Sequence, residues 1–284
     1  MHPIERLRYV ARAGDADPAL LAEEAAEALG SLAYEPRALV PACRRLIEFH
    51  PRCAPLWWVC ARVLTAGDPR RAAGEAIDEL TEDPTADELA ATFPAGAVVV
   101  AGATRTIGEA VAQRPDLTVR MVGRPNRLRN ELGRLVHEVE VVGYEPEEAD
   151  DALDGAQLAV LAPMAAGPGG YLLGEDESAL LSAAGAAGVP VWMVTTCGVI
   201  LPAALFNALS ARALDEGVST REPRVVSAGR RRPGFGHSAS GGCSVAATNE
   251  AAAVVAPFGA ALPAVALVRP GCPVAAELLV PAAR

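Results

Sequence analysis

Two glycine-containing junctions carry the residues best suited to hold an anion. The first, Gly102-Ala103-Thr104-Arg105-Thr106-Ile107-Gly108, follows a Val-Val-Val run and opens a helical pattern. Small residues allow close backbone approach, the threonines offer hydroxyl donors, and arginine can pair with a phosphate through two parallel bonds. A helix N-terminus adds unpaired N–H groups. The junction predicts either an ordinary strand-to-helix turn or a phosphate site built from Gly102, Thr104, Arg105 and Thr106.

The second junction places arginines in the first turn of a predicted helix, at Gly123-Arg124-Pro125-Asn126-Arg127. Cations at that end oppose the helix dipole. A bound anion between Arg124 and Arg127 would relieve the conflict, as would solvent or nearby glutamates. Because parallel strands end at a common edge, where ligands bind in open α/β sheets, we expect Arg105 and Arg124 to converge there.

Composition excludes several functions. The sequence contains no lysine, so all 25 of its basic residues are arginine, and Schiff-base or phosphate-loop lysine chemistry is excluded. The formal net charge of −10 gives nucleic acid no general electrostatic reason to bind. The six cysteines form no CxxC pair, so neither a structural metal site nor any cofactor is predicted.

The cellular setting is predicted from what the sequence lacks. The segment that begins Met1-His2-Pro3 has no basic stretch followed by an apolar one. The longest apolar stretch, near the C-terminus, is broken by Pro257 and Pro263, which argues against a membrane helix. We expect a protein of the reducing cytoplasm without disulfides.

Residues 1–94 are predicted to form a helical N-terminal domain. Asp-Pro pairs at 17–18, 68–69 and 83–84 place a capping carboxylate before a proline suited to a first helical turn. Apolar residues between them recur at helical spacing, which predicts a bundle of about five helices. Trp57 and Trp58 either pack in its core or line a ligand pocket.

Residues 95–284 are predicted to form a Rossmann-like α/β domain. After Phe93 the pattern changes to short β-branched runs, each followed by a helix-length segment, which is typical of a parallel sheet flanked by helices. Helices are expected near Thr106, Pro125, Pro146, Glu175 and Pro202. The expected strands are Ala97–Ala101, Thr118–Val122, Val139–Val142, Leu158–Ala162 and Val191–Thr195, with Val265–Val268 as a further possibility.

A flexible loop is expected near 217–242, where the chain is rich in arginine and glycine. It contains Arg230-Arg231-Arg232, then Pro233-Gly234-Phe235-Gly236-His237. Such a loop either closes over an anionic ligand or is a solvated insertion.

The order of these features resembles a known superfamily. A strand and turn, the Arg124-Pro125 junction, Leu158–Met164, Gly167-Pro168-Gly169-Gly170 and Val189-Pro190 follow one another. This order is similar to that of the translation initiation factor 2B alpha, beta and delta subunits and the methylthioribose-1-phosphate and ribose-1,5-bisphosphate isomerases. The resemblance covers about 97–194 and implies a sugar-phosphate pocket, to which Gly169, Gly170 and Glu175 would contribute, and homodimerisation through the α/β domain.

Departures from the superfamily pattern bear on catalysis. The resemblance implies that an isomerase would carry a cysteine after the first strand and an aspartate in a Gly-Ala-Asp element. The corresponding places read Gly102-Ala103-Thr104 and Ala162-Pro163-Met164, and an Asn-Lys pair reads Tyr171-Leu172. General acid/base catalysis supplies roughly 10²–10⁴-fold, so its loss should remove most isomerase activity. Glu175, Asp176 and Cys197 are either substitutes or structural residues, and the catalytic residues stay unassigned.

The sequence therefore favours a non-catalytic or catalytically divergent binder of a phosphorylated sugar or nucleotide. A sugar-phosphate isomerase with relocated acid/base residues is the first alternative. A structural subunit of a hetero-oligomer is the second, and it follows from the resemblance alone.

Overall fold

A computed structural model of the chain describes residues 17–102, 105–123, 141–219 and 242–279. Within these ranges the chain is α/β, as predicted. None of the described helices is both long enough and apolar enough to span a membrane.

Between residues 17 and 94, all of them described, the chain forms five helices, in line with the predicted bundle of about five. Proline stands in the first turn of most of them, where its missing N–H is not needed. The Asp17 carboxylate accepts a hydrogen bond from Ala19 N at 2.9 Å, and the Asp68 carboxylate accepts one from Arg71 N at 3.1 Å. The helices are α1 (Pro18–Ser31), α2 (Pro36–Phe49), α3 (Ala54–Thr65), α4 (Pro69–Thr81) and α5 (Thr85–Thr92).

The main sheet has seven strands in the order β10-β9-β7-β4-β1-β2-β3. All neighbours are parallel except β10, which pairs antiparallel with β9. A smaller antiparallel sheet has the order β5-β6-β8. The strands are β1 (Gly96–Ala101), β2 (Leu117–Val122), β3 (Val141–Tyr144), β4 (Leu158–Leu161), β5 (Ala165–Gly167), β6 (Gly170–Leu173), β7 (Val191–Val194), β8 (Ser244–Ala246), β9 (Ala253–Ala256) and β10 (Gly259–Ala261).

Helices cover both faces of the main sheet. On one face Val98 and Val100 pack with Ile107, and on the other Leu161 packs with Leu180. Val98, Val100, Val160, Leu161 and Val191 are each at most 4% exposed, as expected for a parallel sheet that is covered on both faces. The helices of this part are α6 (Arg105–Ala112), α7 (Ala149–Ala152), α8 (Glu175–Ala187), α9 (Ala203–Ser219) and α10 (Pro263–Ala266), with 3-10 turns at Pro146–Glu148, Thr248–Glu250 and Ala276–Leu278.

One expectation needs correction. The strand at Val265–Val268 is wrong: Pro263 starts α10, and the late strands of the sheet are β9 and β10. A short apolar run fits strand and helix equally well, and the proline at the first helical position decides for the helix. The loop expected near 217–242 stays a prediction, although α9 continues to Ser219. Residues 220–241 lie outside the described residues.

The core of the helical part also takes in later segments of the chain. Trp57 and Trp58 are 0% and 1% exposed, which confirms the packing interpretation of this pair. They share a cluster with Phe206 of α9 and with Ala275 and Leu278 near the C-terminus. The last segment is held by Arg44 Nε, which donates to Glu277 O at 2.8 Å. The domain limits at 94 and 95 stay a prediction.

Candidate functional site

Three strands of the main sheet end side by side at its carboxyl edge. Gly102 follows β1, Gly123 follows β2 and Ala162 follows β4. Ala162 N donates to Ala101 O at 3.3 Å, and Gly123 N donates to the carbonyl of β3 residue Tyr144 at 2.9 Å. The two positions where the resemblance implies a thiol and a carboxylate therefore lie on neighbouring strand ends.

The first turn of α8 lies directly over these strand ends. Gly102 has φ +71°, and a Cβ at this position would lie 2.9 Å from the carbonyl oxygen of Ala162 and 3.1 Å from Cδ of Glu177. Real Cβ atoms hardly ever approach other atoms that closely, so the position requires glycine. The Glu177 carboxylate thus occupies the space that a side chain at Gly102 would fill.

Asp176 makes the equivalent approach to the end of β2. Gly123 has φ +103°, and a Cβ there would lie 2.6 Å from Cγ of Asp176. Consecutive carboxylates of α8 therefore cover two consecutive strand ends. The sequence analysis considered Asp176 but missed Glu177. The sequence shows that Glu175-Asp176-Glu177 opens this helix, but the strand ends that these side chains cover depend on how α8 lies across the sheet.

Glu177 also lies near the N-terminus of its own helix. A Cβ at the N-cap residue Gly174 would be 2.6 Å from Oε2 of Glu177. A carboxylate at this position is favoured by the helix dipole and by the unpaired N–H groups of the first turn. The same helix end carries a hydroxyl pair, since Ser178 Oγ and Ser244 Oγ are 2.7 Å apart. No local pattern predicts this pair, because Ser244 lies 66 residues further along the chain.

Arg105 is the first residue of α6, beside the end of β1. Its side chain is 59% exposed, and its Nε donates to Glu109 Oε1 at 2.6 Å. This hydrogen bond and the Glu109 charge raise the pKa of Arg105, and the carboxylates of Asp17 and Glu23 contribute further. Since Asp17 and Glu23 belong to the start of the helical part, Arg105 lies where that part faces the edge of the sheet.

The other predicted ligand residues fall into three groups. Thr106 is half-buried in the same turn as Arg105, and Glu175 is exposed at the start of α8. Gly169 and Gly170 form the turn between β5 and β6, where a Cβ at Gly169 would lie 3.1 Å from the Phe206 ring of α9. The remaining three, Thr104, Arg124 and Arg127, lie outside the described residues. Convergence of Arg105 with Arg124 stays a prediction.

The positions that the resemblance assigns to catalysis carry no proton-transfer group. Gly102 has no side chain, Ala162 has a methyl group, and the Met164 side chain packs against the core of the helical part. Tyr171, in the place of the Asn-Lys element, is fully buried in the sheet core, and burial raises its pKa. These side chains cannot transfer a proton to a ligand at neutral pH.

Cys197 follows β7 at the same edge but is held in a different way. Its backbone N–H donates to Asp83 Oδ2 at 2.6 Å, and the other oxygen of Asp83 accepts a bond from Thr85 N at 2.9 Å. Burial raises the pKa of the Cys197 thiol to about 12, and the Asp83 and Glu79 carboxylates add to that effect. The thiol is protonated at neutral pH and is therefore a poor nucleophile. His237 lies outside the described residues.

The described residues hold no metal cluster at the carboxyl edge. In the part of the chain that the structure describes, no three His, Cys, Asp or Glu side chains are grouped to hold a metal ion. Two surface clefts, of about 380 and 460 Å³, lie elsewhere, between α8 and residues 249–252 and between α1 and α4. The edge is the candidate site because of its charged groups, glycines and helix ends.

The fold is similar to that of several solved structures. Translation initiation factor eIF-2B of Pyrococcus horikoshii OT3 is 14% identical, with a TM-score of 0.70, over 93% of this chain and 98% of that one. A chain of the tetrameric eIF2B-beta2-delta2 complex of Chaetomium thermophilum is 11% identical, with a TM-score of 0.60, over 92% of this chain and 91% of that one. The 5-methylthioribose 1-phosphate isomerase of Pyrococcus horikoshii OT3 is 13% identical, with a TM-score of 0.59, over 92% of this chain and 84% of that one. No protein-family model matches the sequence, and no curated protein matches it.

These similarities confirm the fold that the sequence resemblance implies. The chain has the fold shared by eIF2B subunits and 5-methylthioribose 1-phosphate isomerase, over nearly its whole length. At 11–14% identity the likeness concerns the fold, and fold does not determine function.

Proposed function

We propose that the chain is an initiation factor 2B-like protein that binds a phosphorylated sugar at the carboxyl ends of β1, β2 and β4. The observations that support the proposal are the Glu177 and Asp176 carboxylates, which cover Gly102 and Gly123, and the position of Arg105 at the start of α6, three residues after Gly102. Arginine suits a phosphate, whereas carboxylates accept hydrogen bonds from sugar hydroxyls. The edge therefore offers complementary groups for both halves of a sugar phosphate.

The charges at the edge favour a sugar phosphate over free phosphate. Arg105 is exposed and already paired with Glu109, so a phosphate would share its guanidinium rather than meet an unpaired cation. Asp176 and Glu177 repel an anion placed directly over the strand ends, where ordinary helix ends would attract one. A sugar that presents hydroxyls to α8 and its phosphate to Arg105 avoids this repulsion.

Binding without isomerisation is the form of the proposal that the side chains support. Gly102 and Ala162 lie where proton-transfer groups are expected, and neither can move a proton. Cys197 has a raised pKa and donates its N–H to Asp83, which ties it to the helical part. We place the protein in the cytoplasm, as the composition indicates.

Titration calorimetry with ribose 5-phosphate, ribose and inorganic phosphate tests the proposal. We expect ribose 5-phosphate to bind most tightly, and Arg105→Ala to weaken its binding about 10- to 100-fold, since a hydrogen bond to a charged group contributes about 1.5–3 kcal/mol. Arg71→Ala is the matched control, because Arg71 is also exposed and also paired with a glutamate four residues on. Absence of binding, or equal losses in both variants, rejects the proposal.

Relocated acid/base catalysis is a second candidate that one contact favours. The Glu177 carboxylate fills the space of a side chain at Gly102, next to Ala162. NMR of 5-methylthioribose 1-phosphate incubated with the chain would reveal any aldose–ketose conversion. If Glu177 transfers the proton, Glu177→Gln abolishes turnover and keeps binding, whereas Glu48→Gln, at an exposed position of α2, retains both. No turnover by the unmodified chain removes this candidate.

Self-association is the remaining part of the proposal. A solved structure with this fold is a tetrameric complex of beta and delta subunits. We propose that this chain forms a homodimer through its α/β part, with a structural subunit of a hetero-oligomer as the alternative.

A further inference from the structure

A cleft of about 460 Å³ lies between α1 and α4, and this volume is within the range of small-molecule sites in proteins. The lining residues recur every three or four positions along both helices, so one face of each helix forms a wall of the cleft. They are Ala26, Glu27, Gly30 and Ser31 of α1, Tyr34 of the turn that follows, and Arg70, Ala73, Gly74 and Ile77 of α4. We call this space the α1–α4 cleft.

Arg70 is a cation of the α1–α4 cleft that lacks a partner carboxylate. It donates a hydrogen bond to the Tyr34 hydroxyl, and its guanidinium carbon is 5.7 Å from the centre of the Tyr34 ring. Among the described residues Arg70 forms no ion pair, whereas the next residue, Arg71, pairs with Glu75 at 3.5 Å. Arg70 also lies in the first turn of α4, where the helix dipole disfavours a cation. A bound anion would relieve both conditions at once.

Gly74 keeps the floor of the cleft open, although the packing of the chain does not require glycine there. It lies inside α4, where glycine costs about 0.5–1 kcal/mol relative to alanine. No atom of the surrounding structure lies within 4 Å of a Cβ built at Gly74. Gly30 differs, because a Cβ there would lie 3.1 Å from Cβ of Ala73, so that glycine lets the two helices approach. Gly74 therefore leaves a space that the described residues do not fill.

The lining of the cleft selects the kind of anion that fits. Ala26, Ala73 and Ile77 are apolar, and the Tyr34 ring, which is 75% exposed, adds an aromatic surface. Covering these surfaces favours a ligand with an apolar body. Glu27 also lines the cleft, and a carboxylate repels a phosphate dianion more strongly than it repels a ligand with a single negative charge. The ligand that matches this lining is a small carboxylic acid with an aromatic or branched body.

We propose that the α1–α4 cleft is a second ligand site, which binds a small organic carboxylate with an apolar body. The ligand carboxylate accepts hydrogen bonds from the Arg70 guanidinium. Its apolar body lies over Gly74 and against the Tyr34 ring, where it covers surface that is otherwise exposed to water. This site shares no residue with the carboxyl edge of the main sheet, so it does not depend on the proposed sugar-phosphate site.

Titration calorimetry of the full chain with phenylacetate tests the site. We expect saturable binding at least about 10-fold tighter than that of phenylacetamide, which has the same shape without the charge, and a similar loss in Arg70→Ala. Gly74→Leu should abolish binding, because the new side chain fills the cleft without a clash at Cβ. The matched controls are Arg71→Ala, which removes the neighbouring exposed arginine, and Gly185→Leu, at a helix position that is equally open. Both controls should bind phenylacetate like the unmodified chain.

Backbone amide NMR of the unmodified chain locates the ligand without any substitution. Phenylacetate should cause saturable shifts at Tyr34, Arg70 and Gly74 and none at Gly102 or Gly123. Absence of saturable binding, or unchanged affinity in Arg70→Ala, overturns the proposal, and tighter binding of phenyl phosphate overturns the choice of a carboxylate. Arg70→Ala should bind ribose 5-phosphate like the unmodified chain, so failure of this site and failure of the proposed sugar-phosphate site are separate results.

Discussion

At the carboxyl edge of the main sheet, different strand ends make different contacts. At β1 and β2, Gly102 and Gly123 lie under the Asp176 and Glu177 carboxylates, and charged groups of α6 and α8 remain near the surface. At β7, by contrast, the backbone N–H of Cys197 is bonded to Asp83 of the helical part. We propose that the ends of β1 and β2 hold a ligand, whereas the end of β7 joins two parts of the chain. Position in a fold therefore does not assign function without the side chains that occupy it.

The largest effect on stability is expected from a substitution in the core that the helical part shares with later segments of the chain. Trp58 is 1% exposed, and a Cβ at Gly271 would lie 2.8 Å from its indole nitrogen. Replacing Trp58 by alanine should lower the free energy of unfolding by about 3–5 kcal/mol, the usual cost of such a cavity. Urea denaturation measures the change. Phe49→Ala is the control because Phe49 is half exposed, and a similar loss in both variants would contradict the assignment of Trp58 to the core.

Replacing Asp83 tests the contact between the end of β7 and the helical part. Asp83→Ala removes the acceptor for Cys197 N and the acceptor for Thr85 N, two groups that come from distant parts of the chain. Leaving buried donors unsatisfied costs about 1–3 kcal/mol. Hydrogen exchange should show faster exchange at Thr85 and Cys197 together. An unchanged exchange rate of the Cys197 amide would mean that the contact between the end of β7 and the helical part does not depend on Asp83.

Gly102→Ala tests the other strand end. The added methyl group meets the Ala162 carbonyl and Glu177 while φ is positive, so we expect a loss of about 1–2 kcal/mol together with weaker ribose 5-phosphate binding. Gly185→Ala is the control: this residue lies within α8 with no atom within 4 Å of a new Cβ. That change should stabilise the chain by about 0.5–1 kcal/mol. Equal effects of both substitutions would remove the special role of Gly102.

Buried thiols predict an effect that is confined to high pH, where the chain should lose stability. Burial raises the pKa of Cys53, Cys197 and Cys272 to about 12 in the folded chain. Unfolded thiols have a pKa of about 8.5. Between about pH 8.5 and pH 12 the folded state keeps its thiol protons, whereas the unfolded state releases them. The free energy of unfolding therefore has its full value below about pH 8 and falls as the pH rises towards 12. Denaturation at pH 7.5, 9 and 10.5 should show the decline, and Cys197→Ser should make it shallower. A flat profile would contradict thiol burial.

Local signals were sufficient to predict much of the fold. The Asp17 and Asp68 caps and the buried valines of β1 follow from neighbouring residues, and all are confirmed. Asp83 reads as a third cap of the same kind, yet one of its oxygens binds Cys197, 114 residues later. No local pattern predicts such a bond. The Val265–Val268 error has the same origin, because a short apolar run does not reveal what it packs against.

The candidate site was predictable in position but not in content. Strand-to-helix junctions at 102–108 and 123–127 indicated the carboxyl edge, where the structure places Arg105 and Thr106. The approach of Asp176 and Glu177 to Gly102 and Gly123 depends on how α8 lies across the sheet, which chain order does not specify. The shared core of the helical part and α9 was missed for the same reason.

The difference between the two strand ends can be measured directly with isotope-labelled protein. Ribose 5-phosphate is titrated into the chain while backbone amide NMR signals are followed at Gly102, Arg105–Ile107, Gly123 and Asp176–Ser178 and, for comparison, at Thr195–Gly198. The account predicts saturable shifts in the first set and none in the second. Shifts confined to Thr195–Gly198, or no saturable shifts in either set, would contradict a ligand site at the ends of β1 and β2.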